Sequence, residues 1–299
     1  MLTSVASLLS ATPTRQTLTH NLYHTIAERL AAGFDKDEAQ AMARILIEDL
    51  LHLSLPHVMA GLAPPLSVQE GQLVEQAIDR LLSNEPIQYV IGRTVFHGHT
   101  FMVNPSVLIP RPETEQLVDM AIGLPNLPEQ VSVMDACTGS GCIAISIKKE
   151  RPQWTVTACD ISTEALQTAR ENAKANAVET NFIHTNVLSD DLPAGPFDIM
   201  VSNPPYIMDK EKSSMEPHVL EREPHLALFV TDKEPLIFYR ALAQWGLKSL
   251  RTGGWMLTEI NPLLSIETAG LFAAHGYTDC EIITDIFGKE RFVRCKLLR

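Results

Sequence analysis

The sequence predicts an α/β protein: a doubly wound, mostly parallel sheet with helices on both faces, a small all-helical N-terminal domain, and a β-hairpin joining the two. Three observations predict it. Apolar residues recur at helical spacing over the first part of the chain, with no strand alternation. A stretch rich in β-branched and aromatic residues, punctuated by Gly92 and Gly98, follows. From Val131 onward, strand-like and helix-like segments alternate, the pattern of a parallel sheet. On this basis the helical domain spans 1–85, the hairpin linker 86–110 and the sheet domain 111–299.

Each element has its own justification. Leu22, Ile26 and Leu30, then Met42, Ile45, Leu46, Leu50 and Leu53, repeat at the spacing of a helix face. Two helix starts read as capping boxes, Asp35-x-x-Glu38 and Ser67-x-x-Glu70, the second after Pro64-Pro65. The hairpin is expected between Gln88 and Val103. In the sheet domain, strands are expected at Val131 to Ala136, Val156 to Asp160, Asn181 to Thr185, Asp198 to Ser202, Trp255 to Ile260, Asp279 to Thr284 and Arg291 to Leu297. Helices are expected from Gly141, Ser162, Glu234 and Leu263, and the last two strands form a hairpin through Phe287-Gly288. In such a sheet, ligands gather at the carboxyl ends of the strands.

Composition sets limits on function. With 299 residues and 45% hydrophobic residues, the chain is long enough for one large domain and a smaller one. A net charge of -12 and a pI near 5.3 argue against a dominant, sequence-blind grip on phosphates but leave a local basic groove open, and no direct nucleic-acid binding is required. The five cysteines, 137, 142, 159, 280 and 295, form no Cys-x-x-Cys pair, and the His20–His24 spacing has no cysteine near it. Neither a metal site nor a disulfide framework is signalled. Residues 1–20 lack a basic start followed by a long apolar core, and no stretch approaches the length of a membrane span, so a cytoplasmic protein without a membrane partner is expected.

Two constellations carry chemistry. Asp135-Ala-Cys137-Thr138-Gly139-Ser140-Gly141 follows a strand and opens a helix, and its glycines let a ligand approach the main chain. It lacks the Gly-Lys-Ser/Thr ending of a phosphate loop and matches the dinucleotide fingerprint only loosely. Nineteen residues after Gly141, Asp160 ends the second strand, where a carboxylate can accept hydrogen bonds from both hydroxyls of a ribose. Together these elements predict a nucleoside pocket. The plainer role for Asp160 is that of an acid at a helix N-terminus, worth about 0.3–1 kcal/mol. Asp135 either ties the loop or meets a cationic ligand group. Cys137 and Cys142 are read as small packing residues.

The second constellation is Asn203-Pro204-Pro205-Tyr206, directly after the apolar run 198–202. The Asn203 side-chain oxygen and the Pro204 carbonyl can each accept one N–H of a planar NH2 group. The prolines fix the backbone and offer no competing N–H. Tyr206 can pack on the flat face of the substrate. The plainer alternative is a turn after a strand.

These motifs resemble the S-adenosylmethionine-dependent methyltransferases that modify planar nitrogens. Val107-Leu-Ile-Pro110-Arg111-Pro112-Glu113-Thr114-Glu115, with Glu85-Pro86-Ile-Gln88, Phe96-His-Gly98, Glu223-Pro224 and Glu259-Ile260, narrows the resemblance to the peptide chain release factor glutamine methyltransferases, the HemK or PrmC family. The resemblance implies a class I methyltransferase sheet and methyl transfer to the glutamine amide of the Gly-Gly-Gln motif of release factors. It implies S-adenosyl-L-methionine as cofactor, S-adenosyl-L-homocysteine as product and no metal. Cys137, Thr138, Gly139, Ser140, Gly141, Asp160, Asn186, Val187 and Asn203 would hold the cofactor. Asn203, Pro204, Pro205 and Tyr206 would hold the substrate, with Asn203, Pro204 and Tyr206 catalytic. The helical domain is a candidate docking surface. The alternatives are a methyltransferase for a ribosomal-protein glutamine or for the adenine amine, a non-enzymatic cofactor-binding module and a nicotinamide-dependent oxidoreductase. The chain departs from the family pattern at three places: Cys137 stands where a glycine is frequent, Asn186 where an acid is usual, and Asn261 where many members have glycine.

Overall fold

The computed structural model describes residues 21–189 and 195–298. The expectation for residues 1–20, including His20 of the His20–His24 pair, lies outside the described residues. Two compact units are present: one runs up to Gly92 and includes Pro217–Arg222, and the other holds Arg93–Glu216 and Glu223–Arg299.

The first unit is helical: α1 Leu22–Leu30, α2 Lys36–Ile45 continuing into a π-helical turn at Leu46–Leu50, α3 Leu55–Met59, α4 Val68–Leu82 and α5 Ile87–Ile91. Its core is the predicted apolar face, with Leu22, Ile26, Leu30, Leu46 and Ile78 buried. Ser67 and Glu70 form the reciprocal capping box of α4: the Glu70 N–H donates to the Ser67 hydroxyl and the Ser67 N–H to the Glu70 carboxylate. Asp35 caps α2 one way only, accepting from the Asp37 and Glu38 backbones. The hairpin begins later than the sequence suggested, because Pro86 precedes α5 and Gly92, at φ +78°, closes it. That pair of stop signals turns Gln88–Ile91 into a helical turn.

The second unit opens with the hairpin β1 Arg93–Phe96 and β2 His99–Met102, then α6 Glu115–Ile122. The alternating region follows as β3 Ser132–Ala136, α7 Cys142–Glu150, β4 Thr155–Asp160, α8 Thr163–Ala175, β5 Asn181–His184 and β6 Phe197–Ser202. After β6 come a short parallel pair, β7 Ile207–Met208 with β8 Phe229–Val230, and α11 Ile237–Ser249; α9 Pro217–Arg222 and α10 His225–Leu228 lie in the connection. β9 Leu250–Glu259, α12 Ser265–Ala274, β10 Tyr277–Thr284 and β11 Glu290–Leu297 complete the chain.

Among the described residues, seven strands form one sheet in the order β10-β11-β9-β6-β3-β4-β5, parallel from β9 to β5 and antiparallel through β11 and β10. All six residues of β6 are buried, as expected for a strand covered on both faces. The chain builds β3, β4 and β5 to one side and then crosses β3 to add β6 and β9 on the other. That reversal opens a crevice beyond the carboxyl ends of β3 and β6. β9 starts five residues earlier than its apolar run indicates. Gly254 makes this possible: a Cβ there would lie 2.9 Å from the Arg251 carbonyl and 3.2 Å from the Asp198 carbonyl, beside a register shift in the β6–β9 pairing. No described helix is long and apolar enough to cross a membrane.

Candidate active site

The loop after β3 is held from several sides. Cys137, Gly139 and Gly141 all take positive φ, at +61°, +54° and +81°. The Thr138 N–H donates to the Cys159 carbonyl at 2.9 Å, and its hydroxyl donates to Asp135 Oδ2 at 2.6 Å. Asp135 Oδ2 also accepts from the Ala144 backbone at 3.2 Å, so this buried carboxyl ties the loop to the first turn of α7. Asn172 of α8, fully buried, donates to the Ser140 carbonyl at 2.9 Å and clamps the β2 backbone through Met102. Gly141 is required by packing as well as by φ, because a Cβ would lie 2.9 Å from Ile145 Cδ1 and 3.1 Å from Ala169 Cβ.

Asp160 at the end of β4 accepts from the Gly139 N–H and the Ser162 N–H, each at 2.9 Å, one on each carboxylate oxygen. The loop and the acid are therefore one unit. Each oxygen keeps a lone pair for a further donor such as a ribose hydroxyl. The helix-start role is present too, since Ser162 caps α8 by accepting from the Ala165 N–H.

Electrostatics separate the two acids from the thiols. Burial pushes the Asp135 carboxyl up to about 7, opposed by the Thr138 and Ala144 hydrogen bonds. Its second oxygen, Oδ1, is buried without a hydrogen-bond partner among the described residues. Burial also raises Asp160, against three backbone donors. It pushes the Cys142 thiol up to about 12 and the Cys137 thiol well up, so both behave as packing residues and not as nucleophiles.

Asn203 follows β6, whose last residue, Ser202, donates its hydroxyl to the Ala136 carbonyl of β3 at 2.7 Å. The Asn203 amide N–H donates to the Thr114 hydroxyl at 3.3 Å. Thr114 in turn donates to Glu259 Oε2 at 2.7 Å, and the Tyr206 hydroxyl donates to Glu259 Oε1 at 2.9 Å. This network holds the Asn203 side-chain nitrogen against the Thr114 hydroxyl. Glu259 is buried at the end of β9, and burial raises its carboxyl while the two hydroxyls oppose the rise. Asn261, also buried, donates to the Tyr206 carbonyl at 3.1 Å and to Glu211 at 2.7 Å, and accepts from the Leu263 N–H at 2.9 Å.

A cavity of about 300 Å³ lies over these strand ends. Cys137, Thr138, Gly139, Ser140, Asp160, Asn186, Val187, Asn203 and Pro205 line it. Gly141, Pro204 and Tyr206 do not; Gly141 faces α8, and the Tyr206 hydroxyl is directed to Glu259. The walls also include residues that motif reading did not single out as site residues, notably Thr114, Ile161, Leu188 and Phe238. None of Ile161, Leu188 and Phe238 carries a polar signal in sequence; Ile161 and Leu188 could have been suggested only by standing beside Asp160 and Val187, and Phe238 by nothing local. Arg111 lines the rim and is ion-paired with the buried Glu223, which also accepts from the Ile109 N–H at 3.2 Å. The apolar walls suit a flat base, and the loop and Asp160 fit the ribose of S-adenosylmethionine.

Comparisons with known proteins identify the family. A PrmC N-terminal domain model matches residues 21–92, and a methyltransferase small domain model matches residues 118–224. A release factor glutamine methyltransferase from Bacteroides thetaiotaomicron is 40% identical over 269 residues, covering 90% of this chain and 96% of that protein. This chain belongs to the release factor glutamine methyltransferase family. Another member, from Flavobacterium psychrophilum, is 39% identical over 283 residues, 93% of this chain and 98% of that protein. Among solved structures, a methyltransferase from Pyrococcus furiosus matches with a TM-score of 0.52 at 17% identity, over 75% of this chain and 100% of that one, a likeness of fold.

The three departures from the release factor glutamine methyltransferase pattern have structural counterparts. Cys137 occupies a left-handed conformation that a glycine adopts without strain, which accounts for the family's usual residue there. The Asn186 carbonyl accepts from the Leu188 N–H at 2.9 Å, so one of its two lone pairs is already engaged in a local turn. Asn261, in place of the usual glycine, supplies the clamp on the Tyr206 carbonyl.

Proposed function

We propose that this enzyme transfers a methyl group from S-adenosylmethionine to the side-chain amide nitrogen of the glutamine in the Gly-Gly-Gln motif of peptide chain release factors. The observation that carries the proposal is the Asn203 amide, whose N–H is bonded to Thr114 at the edge of the cavity that the glycine loop and Asp160 build. An amide nitrogen is a weak nucleophile because its lone pair is delocalised into the carbonyl. Its reaction depends on orientation, for which rigid acceptors are the main provision. Asn203 Oδ1 and the Pro204 carbonyl take the two N–H groups of the substrate amide. The consecutive prolines and the Asn261 clamp keep those acceptors in place. S-adenosylmethionine, when bound, supplies a methyl group activated by its sulfonium. Thr138, Gly139, Ser140 and Asp160 hold its ribose and chain, Asn186 and Val187 its base. The nitrogen's proton leaves to water as positive charge develops, so no dedicated general base is required.

Within the same proposal, the helical unit offers the docking face for the release factor, through exposed residues such as Lys36, Asp37 and Glu38. Acidic composition suits a protein substrate better than DNA.

The test is incubation with methyl-labelled cofactor and, separately, release factor, ribosomal protein or DNA, followed by mass spectrometry. Label is expected on the Gly-Gly-Gln glutamine, and label confined to DNA or to ribosomal protein would overturn the proposal. Asn203→Ala should nearly abolish turnover while cofactor affinity stays within a few-fold; full activity would remove Asn203 from the grip.

A further inference from the structure

Away from the cavity, the turn of the first hairpin gathers a second set of chemically capable side chains. His97 and His99 flank Gly98 at the tip between β1 and β2, and Glu150 is the last residue of α7. One ligating atom from each of the three lies within 4.8 Å of the other two. His97 Nδ1 is 3.9 Å and His99 Nε2 is 4.0 Å from the same carboxylate oxygen, Glu150 Oε1. Both separations are too long for hydrogen bonds, so the three atoms face a shared point without bonding to one another.

We propose that His97, His99 and Glu150 form a binding site for a divalent transition cation of the zinc class, with Asp119 as the outer carboxylate that orients His97. None of the three ligands lines the active-site cavity, so this site is separate from the methyl-transfer chemistry.

Three features support it. His99 Nε2 is buried and has no hydrogen-bond partner among the described residues, which leaves a lone pair or N–H unsatisfied unless a ligand meets it. His97 Nε2 lies 3.1 Å from Asp119 Oδ1. A carboxylate on one ring nitrogen fixes the tautomer that turns the other nitrogen's lone pair toward a metal. The His97 backbone is itself anchored, its N–H donating to Glu115 Oε1 at 2.8 Å. Lys149 does not occupy the site, because its ammonium donates to the Asn176 carbonyl at 3.2 Å.

The donor set selects the cation. Two imidazoles and one carboxylate suit zinc, and by the general affinity order nickel and copper as well, whereas magnesium and calcium favour all-oxygen shells. Metal–ligand bonds of about 2.0–2.1 Å in a tetrahedron place donors roughly 3.3 Å apart. Closing the present gaps therefore needs about an ångström of side-chain movement, which Glu150 can supply because 40% of its side chain is exposed at the end of its helix. Water would complete the shell. The bound ion would pin the hairpin turn to the end of α7, the helix that the glycine loop opens.

The experiment uses tag-free full-length protein stripped with a chelator and titrated with Zn²⁺ by calorimetry and with Co²⁺ by visible absorption. One equivalent of Zn²⁺ and an intense tetrahedral Co²⁺ spectrum are expected. Affinity should fall at least about 10-fold in His99→Ala and Glu150→Gln, and about 10- to 100-fold in Asp119→Asn. A stoichiometry below half an equivalent, or unchanged affinity in folded His99→Ala and Glu150→Gln, would overturn the site. Unmodified protein gives an independent readout if a variant misfolds: Zn²⁺ should shield His97 and His99 from carbethoxylation in peptide mass spectra, and equal labelling with and without Zn²⁺ would refute the proposal.

Discussion

Replacing Thr114 by valine keeps the outline of the side chain and removes the one oxygen that links Asn203 to Glu259. Two effects follow, and they separate in measurement. Glu259, 2% exposed, keeps only one of the two hydroxyls that donate to it, that of Tyr206. Loss of a donor to a buried carboxyl costs about 1–3 kcal/mol of folding stability. The Asn203 amide loses a 3.3 Å neutral hydrogen bond. Such a bond is worth about 0.5–1.5 kcal/mol net, and if it orients the acceptor that grips the substrate, its loss makes turnover about 2- to 12-fold slower. The assay is transfer of labelled methyl to a release-factor fragment, with kcat and KM resolved, alongside cofactor titration calorimetry and urea unfolding. Turnover should fall, cofactor affinity should hold, and Thr114→Ser should restore kcat because it keeps the hydroxyl. A valine variant that turns over at the wild-type rate would refute the orienting role, and so would a serine variant as slow as valine.

Three further outcomes are expected. Asp160→Ala should weaken cofactor binding roughly 10- to 150-fold, the equivalent of one charged hydrogen bond of about 1.5–3 kcal/mol; unchanged calorimetric affinity would exclude the ribose role. Gly141→Ala forces a side chain into φ +81° and against Ala169. It should lower stability in urea by about 1–3 kcal/mol, and an unmoved midpoint would mean that the loop relaxes freely. The Asp135 carboxyl, raised by burial to about 7, holds its proton more tightly folded than unfolded. Stability from this group is therefore full below about pH 4 and is lost as the pH rises to about 7. From about pH 5 upward, two pH units at about 1.36 kcal/mol each come to on the order of 3 kcal/mol. Between pH 5 and pH 8 the stability of Asp135→Asn relative to wild type should improve by that amount, and parallel stability curves would show that Asp135 does not titrate there.

Much of the fold is legible in sequence because the physics is local. A strand covered on both faces is buried at every position and mostly apolar, and β6, with only Asp198 and Ser202 polar, is; a helix against a core must repeat its apolar residues, and Ile26, Leu30 and Leu46 do. The errors are local too. Gln88–Ile91 carries strand-forming residues, yet Pro86 and Gly92 bracket it so tightly that one helical turn results. The strand is expected only from Trp255, whereas the missing Gly254 side chain lets β9 start at Leu250 and pass within contact of the Asp198 carbonyl. In both places glycine and proline act through backbone geometry, which composition does not specify.

The candidate site divides along a different line. Residues that would touch ligand sit at strand ends within recognisable motifs, so Gly139, Asp160 and Asn203 stand out by type and position. Residues that orient them, even where they fall in such motifs as Thr114 and Glu259 do, show no orienting role in sequence. Thr114 lies 89 positions from Asn203, and Glu259 lies 145 positions from Thr114, so their link exists only after the sheet has formed. Asn172, 32 positions from Ser140, is likewise an unremarked polar residue on a helix until it clamps the glycine loop. Asn261 is the sharpest instance. As a sequence feature it is a departure from a usual glycine, yet folded it is 1% exposed and uses its amide on the Tyr206 carbonyl, on Glu211 and on the Leu263 N–H. The Asn-Pro-Pro-Tyr segment is thereby restrained at its entry by Ser202, at its side chain by Thr114 and at its exit by Asn261. A grip that works by orientation needs all three restraints. Only the contact role is legible in the sequence, because binding requires particular chemistry whereas restraint requires only a hydrogen bond in the right place.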